Sequence, residues 1–421
     1  MEDCAERYGD LFTVQLGGVG EVVFCSHPQM IQDIFTLDLQ CFDAGVSNAL
    51  LLPLLGDASL ILLDGDRHQR QRQLLMPPFH GERMRAYGDL IIDITKQVAS
   101  SWREGQTFNV RESLQDISLQ VILQAVFGVT DPDRYEALRH LMPSMIDKVS
   151  SPISSSFLFV PALQKDWGAW SPWGRFVRER SRLNQLIYQE IAERRAQFDP
   201  DRTDMLTLML SARDEAGQPM TDGELRDELV TLLMAGHETT ASAISWALYW
   251  ILRSPTILEK LLTELKACED LDDAKALSRL PYLSAVCSET LRIYPVAPIT
   301  FPRVLREPAT LMDKSFAAGT RLAPCIYLTH HRPDLYPNPN EFEPERFLNR
   351  TYSAYEFIGF GGGNRRCLGM AFALFEMKRV LATLMTQFRF ELPNLRPIKP
   401  VRRGVTLAPP ASLSLRFLGH R

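Results

Sequence analysis

The run from Thr221 to Arg253 sets the terms for everything around it. Thr221-Asp222-Gly223-Glu224 forms a capping box, in which the Thr221 hydroxyl and the Glu224 carboxylate each satisfy a backbone amide left free by a first helical turn. No proline or turn signal follows until Ser254-Pro255. The spacing therefore predicts one helix of roughly thirty residues, close to 50 Å long at about 1.5 Å per residue. Apolar residues fill both halves, with Leu225, Leu229, Leu232 and Leu233 in the first and Ile244, Trp246, Leu248 and Ile251 in the second. Such a helix has no broad polar face to turn to water, so it must cross the interior. At 421 residues, 45% hydrophobic and 23% charged, the chain can wrap a rod of that length.

Around this rod, helical patterns dominate from Arg67 to Phe388, broken at Pro152, Pro161, Pro172, Pro255 and Pro295. Two alternating runs between Phe12 and Cys25 flank Gly17-Gly18-Val19-Gly20 and read as a β-hairpin. A phosphate loop is excluded there, because no Lys-Ser/Thr follows and the third glycine of a dinucleotide fingerprint is missing. Strand-like runs return at Thr300–Leu311 and Gly404–Leu415. With no repeat, low-complexity tract or hinge, residues 1–421 read as one domain, mainly α with small β-sheets, an α+β class. A net charge of −5 provides no basic field for nucleic acid. Seven scattered cysteines without a CxxC pair read as reduced thiols of a cytoplasmic protein, and no stretch approaches the ~20 apolar residues of a membrane span.

Two constellations break the packing logic. Ala235-Gly236-His237-Glu238-Thr239-Thr240 places a glycine, an acid and paired threonines in the middle of the buried helix. Glycine there costs about 1 kcal/mol against alanine, and a buried carboxylate needs partners. A packing notch is the bland explanation. Taken together, small residues that admit a flat ligand and an acid beside a hydroxyl describe a proton relay next to a cofactor. A zinc site is excluded, since no second histidine lies one turn on. The other constellation is Phe360-Gly361-Gly362-Gly363-Asn364-Arg365-Arg366-Cys367-Leu368-Gly369, ahead of an apolar helix from about Met370 to Phe388. A helix N-terminus, exposed amides and two arginines each favour a thiolate at Cys367. That character also suits a nucleophile or redox thiol; glycines on both sides, allowing a large planar group to approach, favour metal ligation.

The run FGGGNRRCLG resembles the haem-binding loop of the cytochrome P450 family. Three further signatures follow the family's order: AGHETT, Glu289-Thr290-Leu291-Arg292, and Pro344-Glu345-Arg346-Phe347. The resemblance implies the P450 fold, a single triangular helix-rich domain with haem b (Fe-protoporphyrin IX) between the long helix and the cysteine loop, and Cys367 as the iron's axial thiolate. It implies that Glu238 and Thr239 deliver protons. Ala235, Gly236, Phe360, Gly363 and Gly369 would lie against the haem, with His68, Arg72, Arg303 and Arg365 on its propionates, although each arginine taken singly reads equally well as a surface charge. Glu289, Arg292 and Arg346 would form a structural triad, where a solvated helix pair is the ordinary reading of the first two.

The activity so implied is insertion of one oxygen atom of O2 into an unactivated C–H bond. Apolar segments at Val46–Leu63, Val296–Ile299 and Gly404–Pro410 imply a hydrophobic guest, and the chain's similarity to bacterial, especially cyanobacterial, members implies a fatty acid, hydrocarbon or terpenoid. With no attached reductase domain, electrons would come from a separate ferredoxin or flavodoxin, docking on a basic face containing Arg70, Arg366, Lys378 and Arg379. Phe157, Phe159, Trp167, Trp170 and Trp173 form a mobile lid over the entrance, dip into a membrane surface, or make the core of a helix pair. The family's amino-terminal helix and any anchor are expected to be absent or truncated. The competing classes are a haem protein of another kind, such as a peroxygenase, isomerase or sensor, and a helical scaffold in which Cys367 is merely buried.

Overall fold

In the computed structural model, which describes residues 1–37, 41–79, 83–150 and 163–421, the capping box closes as its residues require. The Glu224 amide donates to the Thr221 hydroxyl at 3.2 Å, and the Thr221 amide to the Glu224 carboxylate at 2.7 Å. The central helix then runs unbroken over Asp222–Arg253. It is surrounded by helices Val110–Ile122, Pro172–Ala196, Pro281–Ile293 and Met370–Gln387. Leucines, isoleucines and aromatics from all of them join one large buried cluster. Each fully buried leucine or isoleucine there contributes about 1.5–3 kcal/mol, which is why the polar Ala235–Thr240 stretch stands out as a departure.

The glycine hairpin forms as expected, Leu11–Leu16 against Gly20–Cys25 with Phe12 opposite Phe24. It is the edge of a five-stranded sheet continued by Arg321–Pro324, Arg303–Leu305 and Phe42–Asp43. The expected strand between 404 and 415 is divided. Thr406–Ala408 pairs with Val401–Arg403 in its own hairpin, whereas Ser414–His420 lies between Thr107–Asn109 and Phe388–Glu391. Pro172 and Pro255 begin helices rather than interrupt them, at the first position, where a missing N–H costs nothing. Pro143 instead lies within Pro132–Ser150, and Pro152 and Pro161 lie outside the described residues. A two-turn helix, Glu2–Tyr8, precedes the hairpin. Among the described residues no helix is long and apolar enough to cross a membrane.

Candidate active site

The cysteine loop is shaped by its glycines. Gly361 and Gly363 hold φ of +68° and +63°, left-handed values that a side chain opposes. Gly362 is required for space, because a Cβ there would stand 2.1 Å from the Phe35 ring. The Cys367 amide closes the loop on the Phe360 carbonyl at 2.9 Å, and the helix begins at Met370. Burial raises the thiol above its ordinary value; the Gly369 amide and the charges of Arg72 and Arg366 act against it without prevailing. The loop was expected to favour a thiolate unaided, and desolvation reverses that. Cys367 nonetheless keeps accessible surface. A standing nucleophile would show a lowered value; here the thiolate becomes the favoured form when a cation binds the sulfur.

Four basic groups converge beside the loop from three segments. On helix Gly65–Leu75, His68 is buried and Arg72 donates to the Arg366 carbonyl at 2.9 Å. Arg303 is 4% exposed, donates to the Gly362 carbonyl at 2.9 Å and lies over the Phe35 ring at 4.6 Å. Its Nη1 is buried with no hydrogen-bond partner. Arg365 donates to the Leu60 and Leu63 carbonyls and pairs with Asp64. Burial, then Arg365 and Arg72, push His68 down to about 3. Burial and Arg365 push Arg303 down to about 10. Charges that depress one another in this way, with Asp64 as their ion-pair partner, form a site whose repulsion an incoming carboxylate would relieve.

On the central helix, Ala235 is exposed and Gly236 half-buried, although the helix on either side is buried. A Cβ on Gly236 would lie 2.2 Å from Ile122 Cδ1. The Thr239 hydroxyl donates back to the Ala235 carbonyl at 2.5 Å. Glu238 turns elsewhere: its carboxylate accepts from Arg403 Nε at 2.6 Å and lies 3.7 Å from Arg111. His237 is buried and pushed down to about 4 by burial, so it is neutral. Sequence reasoning missed Arg111 and Arg403, which come from a preceding helix and the carboxyl-terminal hairpin; the doublet Arg402-Arg403 in an otherwise apolar stretch was the available signal.

Beneath the loop, Glu289 is fully buried and accepts from Arg292 Nε at 2.6 Å, Arg292 Nη2 at 2.8 Å, Arg346 Nε at 3.1 Å and the Glu343 amide at 2.9 Å. A second polar network, also missed, fixes Gly56–Leu63. Asp227 accepts from the Ala58 amide at 2.9 Å, Glu228 from the Leu60 amide at 2.7 Å, and Thr231 meets Ser59 at 2.7 Å.

A family model described as cytochrome P450 matches residues 1–417. The chain belongs to the cytochrome P450 family. Among its relatives is a Mycobacterium tuberculosis (strain ATCC 25618 / H37Rv) protein bearing the name cytochrome P450 135B1, 38% identical, with the match covering 99% of this chain and 86% of that protein. Another from the same organism, cytochrome P450 135A1, is 33% identical over 99% and 89%. The solved structure of retinoic acid-bound cyanobacterial CYP120A1 aligns at a TM-score of 0.85 and 27% identity, covering 99% of this chain and 93% of that one. The architecture is thus the P450 fold, the cofactor haem b and the activity a monooxygenase reaction that uses O2 and a separate electron donor.

The residues of this P450 suit that cofactor. Arg303 Nη1 is a buried donor in want of an acceptor, and the mutually depressed basic cluster suits two propionates. No three His, Cys, Asp or Glu residues gather into a metal site among the described residues. An iron taken up through Cys367 must therefore bring further ligands, as a porphyrin does. A cleft of about 190 Å³ beside Gly361–Gly363 is lined by no central-helix residue.

The expected basic docking face is not assembled as foreseen. Arg70 is paired with Asp214 and Glu224, Lys378 donates to the Ser278 carbonyl, and Arg379 is 2% exposed and bonded to the Asp272 carbonyl. Of the four, Arg366 alone is exposed. Trp167 and Trp170 are exposed with stacked rings, whereas Trp173 packs on the core; Phe157 and Phe159 lie outside the described residues.

Proposed function

We propose that this cytochrome P450 hydroxylates or epoxidises a long-chain fatty acid, hydrocarbon or terpenoid, with the Cys367 thiolate holding the haem iron and electrons from a ferredoxin or flavodoxin. The observation that carries the site assignment is the notch of exposed Ala235 and half-buried Gly236 in a largely buried helix, in a chain whose cysteine loop gathers Cys367, Arg72, Arg303 and Arg365. Bound there, the haem supplies dioxygen activation, one oxygen atom going to the substrate and the other leaving as water. His68, Arg72, Arg303 and Arg365 hold its carboxylates. Ala235, Gly236, Phe360, Gly363 and Gly369 give the ring room.

Glu238 and Thr239 move the protons. The Thr239 hydroxyl donates to the Ala235 carbonyl one turn back on its own helix; Glu238 lies one residue away with its carboxylate toward Arg403. The substrate class rests on the lining. Val46–Leu63 carries one charged residue, Asp57, and Val296–Ile299 carries none and is half-buried. The retinoic acid bound in the CYP120A1 structure is a largely hydrocarbon carboxylic acid. Exposed Trp167 and Trp170 mark a face suited to peripheral contact with a lipid surface, from which such a guest would enter. Thr239→Ala is expected to raise peroxide release per electron several-fold while the substrate-induced Soret shift persists. Unchanged coupling refutes the relay, and absence of a shift with any fatty acid, hydrocarbon or terpene refutes the substrate class.

A further inference from the structure

Three side chains of the central helix fasten the wall Gly56–Leu63, and one of them has no settled charge. Asp227 pairs with Arg226 at 2.6 Å, and Thr231 is uncharged. Glu228 is 1% exposed, accepts from the Leu60 amide through Oε1, and leaves Oε2 buried with no hydrogen-bond partner. Burial, the largest influence, pushes its carboxyl up from 4.5 to about 8. Asp227 and Glu224, from its own helix, add to the rise; the Leu60 amide and Gln71, whose buried amide nitrogen also has no hydrogen-bond partner, oppose it. The other charges on the packed elements are engaged or exposed. Arg70 pairs with Asp214 and Glu224, Arg72 donates to the Arg366 carbonyl, His68 is neutral, Arg365 holds the Leu60 carbonyl and Asp64, and Asp57 of the wall is exposed. Glu228, Thr231 and Ala235 stand at i, i+3 and i+7, so the helix face that holds the wall continues into the notch. The wall is flanked by Gly56 at φ +90° and Gly65 at φ +54°, where glycine turns most easily.

We propose that Glu228 is a positioning residue of the substrate wall: as a protonated acid it holds Ala58–Leu60 against the central helix, and it releases them, by rotation about Gly56 and Gly65, when its proton passes to water. The inference rests on the reading of Val46–Leu63 as substrate lining. With the wall closed the carboxyl is dry and keeps its proton up to about 8; with the wall swung out it is hydrated and returns toward its ordinary 4.5. The closed form therefore binds one more proton between those two values. Its advantage over the open form is complete below the lower value, falls by up to about tenfold per pH unit as pH rises, and levels off above the higher one. Guests thus exchange faster as the medium turns alkaline. No electrons move; the bond broken is the acid's O–H, and the proton goes to bulk water.

The test uses the haem-loaded enzyme, with wild type beside Glu228→Gln, which keeps the Leu60 bond but cannot ionise, and Gln71→Leu and Thr231→Val. Hydrogen exchange of peptides covering Ala58–Leu63 reports opening without any guest. Wild-type protection, taken at each pH relative to Glu228→Gln, is expected to fall by up to about tenfold per unit and to run parallel to it above about pH 8. Stopped-flow Soret shifts with a long-chain fatty acid should accelerate over the same range in wild type and stay level in Glu228→Gln. Gln71→Leu, which removes a group favouring the carboxylate, should move the levelling-off to higher pH. Thr231→Val, which loses the Ser59 bond, should lower protection at every pH without changing the slope. Parallel protection curves for wild type and Glu228→Gln overturn the proposal, because a merely structural side chain has no proton to lose. If protection follows the expected course but no fatty acid, hydrocarbon or terpene shifts the Soret band, the wall opens as proposed and the lining reading falls instead. Should Glu228→Gln fail to fold, an unmoved profile in Gln71→Leu overturns the proposal by itself.

Discussion

Glu376, on the helix that follows the cysteine loop, gives the sharpest quantitative test of how this core handles charge. It is 1% exposed, one carboxylate oxygen has no hydrogen-bond partner, and the polar neighbour acting on it is Ser118. Burial outweighs that hydroxyl and raises the carboxyl from 4.5 to about 8. The folded state thus holds a proton that the unfolded state releases above pH 4.5. Between those two values the native chain binds one more proton, so stability falls as pH rises, by about 1.4 kcal/mol per unit, and the loss levels off above about 8. The full span amounts to about 4–5 kcal/mol, an upper figure because a buried charge recruits water. Glu376→Gln keeps the shape and cannot ionise. Urea unfolding of the haem-loaded wild type and variant, followed by far-ultraviolet circular dichroism with the Soret band as a loading control, should give similar stabilities near pH 5. The variant should gain an advantage of several kcal/mol by pH 8. Parallel stability curves across that range would refute the argument, because the carboxyl would then be charged in both states.

Cys367→Ala should abolish the red-shifted Soret band of the reduced carbon monoxide complex; a retained band places the axial ligand elsewhere. Arg292→Leu removes two of the four hydrogen bonds to the fully buried Glu289 carboxylate and should cost about 3–5 kcal/mol in urea unfolding, and a loss under 1 kcal/mol would show that Arg346 suffices. Gly236→Ala gains about 1 kcal/mol in helix propensity but drives a methyl into Ile122, a net loss of up to about 2 kcal/mol. Adding Ile122→Val should recover it, and a double variant no more stable than Gly236→Ala would exclude Ile122 as the obstacle.

The parts of the fold legible in the sequence were those whose physics is local. A capping box, a glycine hairpin and an uninterrupted apolar run each constrain their own few residues, and Thr221, Gly17–Gly20 and the central helix appear where these place them. The glycine loop with its cysteine was legible for the same reason. The thiol's direction of shift was misjudged, because amides and arginines are visible in sequence whereas desolvation depends on everything folded around the sulfur. Arg403 and Arg111 were invisible as partners of Glu238, since the elements carrying them come together only in the tertiary fold. The surface charge assigned to Arg379 failed likewise: nothing in its neighbours says that two backbone carbonyls near Asp272 receive it.

The segment Gly56–Leu63 is held from both sides, by Asp227, Glu228 and Thr231 of the central helix and by Arg365 of the cysteine loop through the Leu60 and Leu63 carbonyls. A Cβ on Gly56 would collide with the Asp227 carboxylate at 2.2 Å. Remodelling this wall to admit a different guest would disturb an arginine placed to anchor the cofactor, so changes in selectivity here would carry a penalty in haem retention. Directed libraries should leave those eight positions alone and vary exposed Val46, Leu52 and Val405 instead, where a new side chain meets no such double attachment.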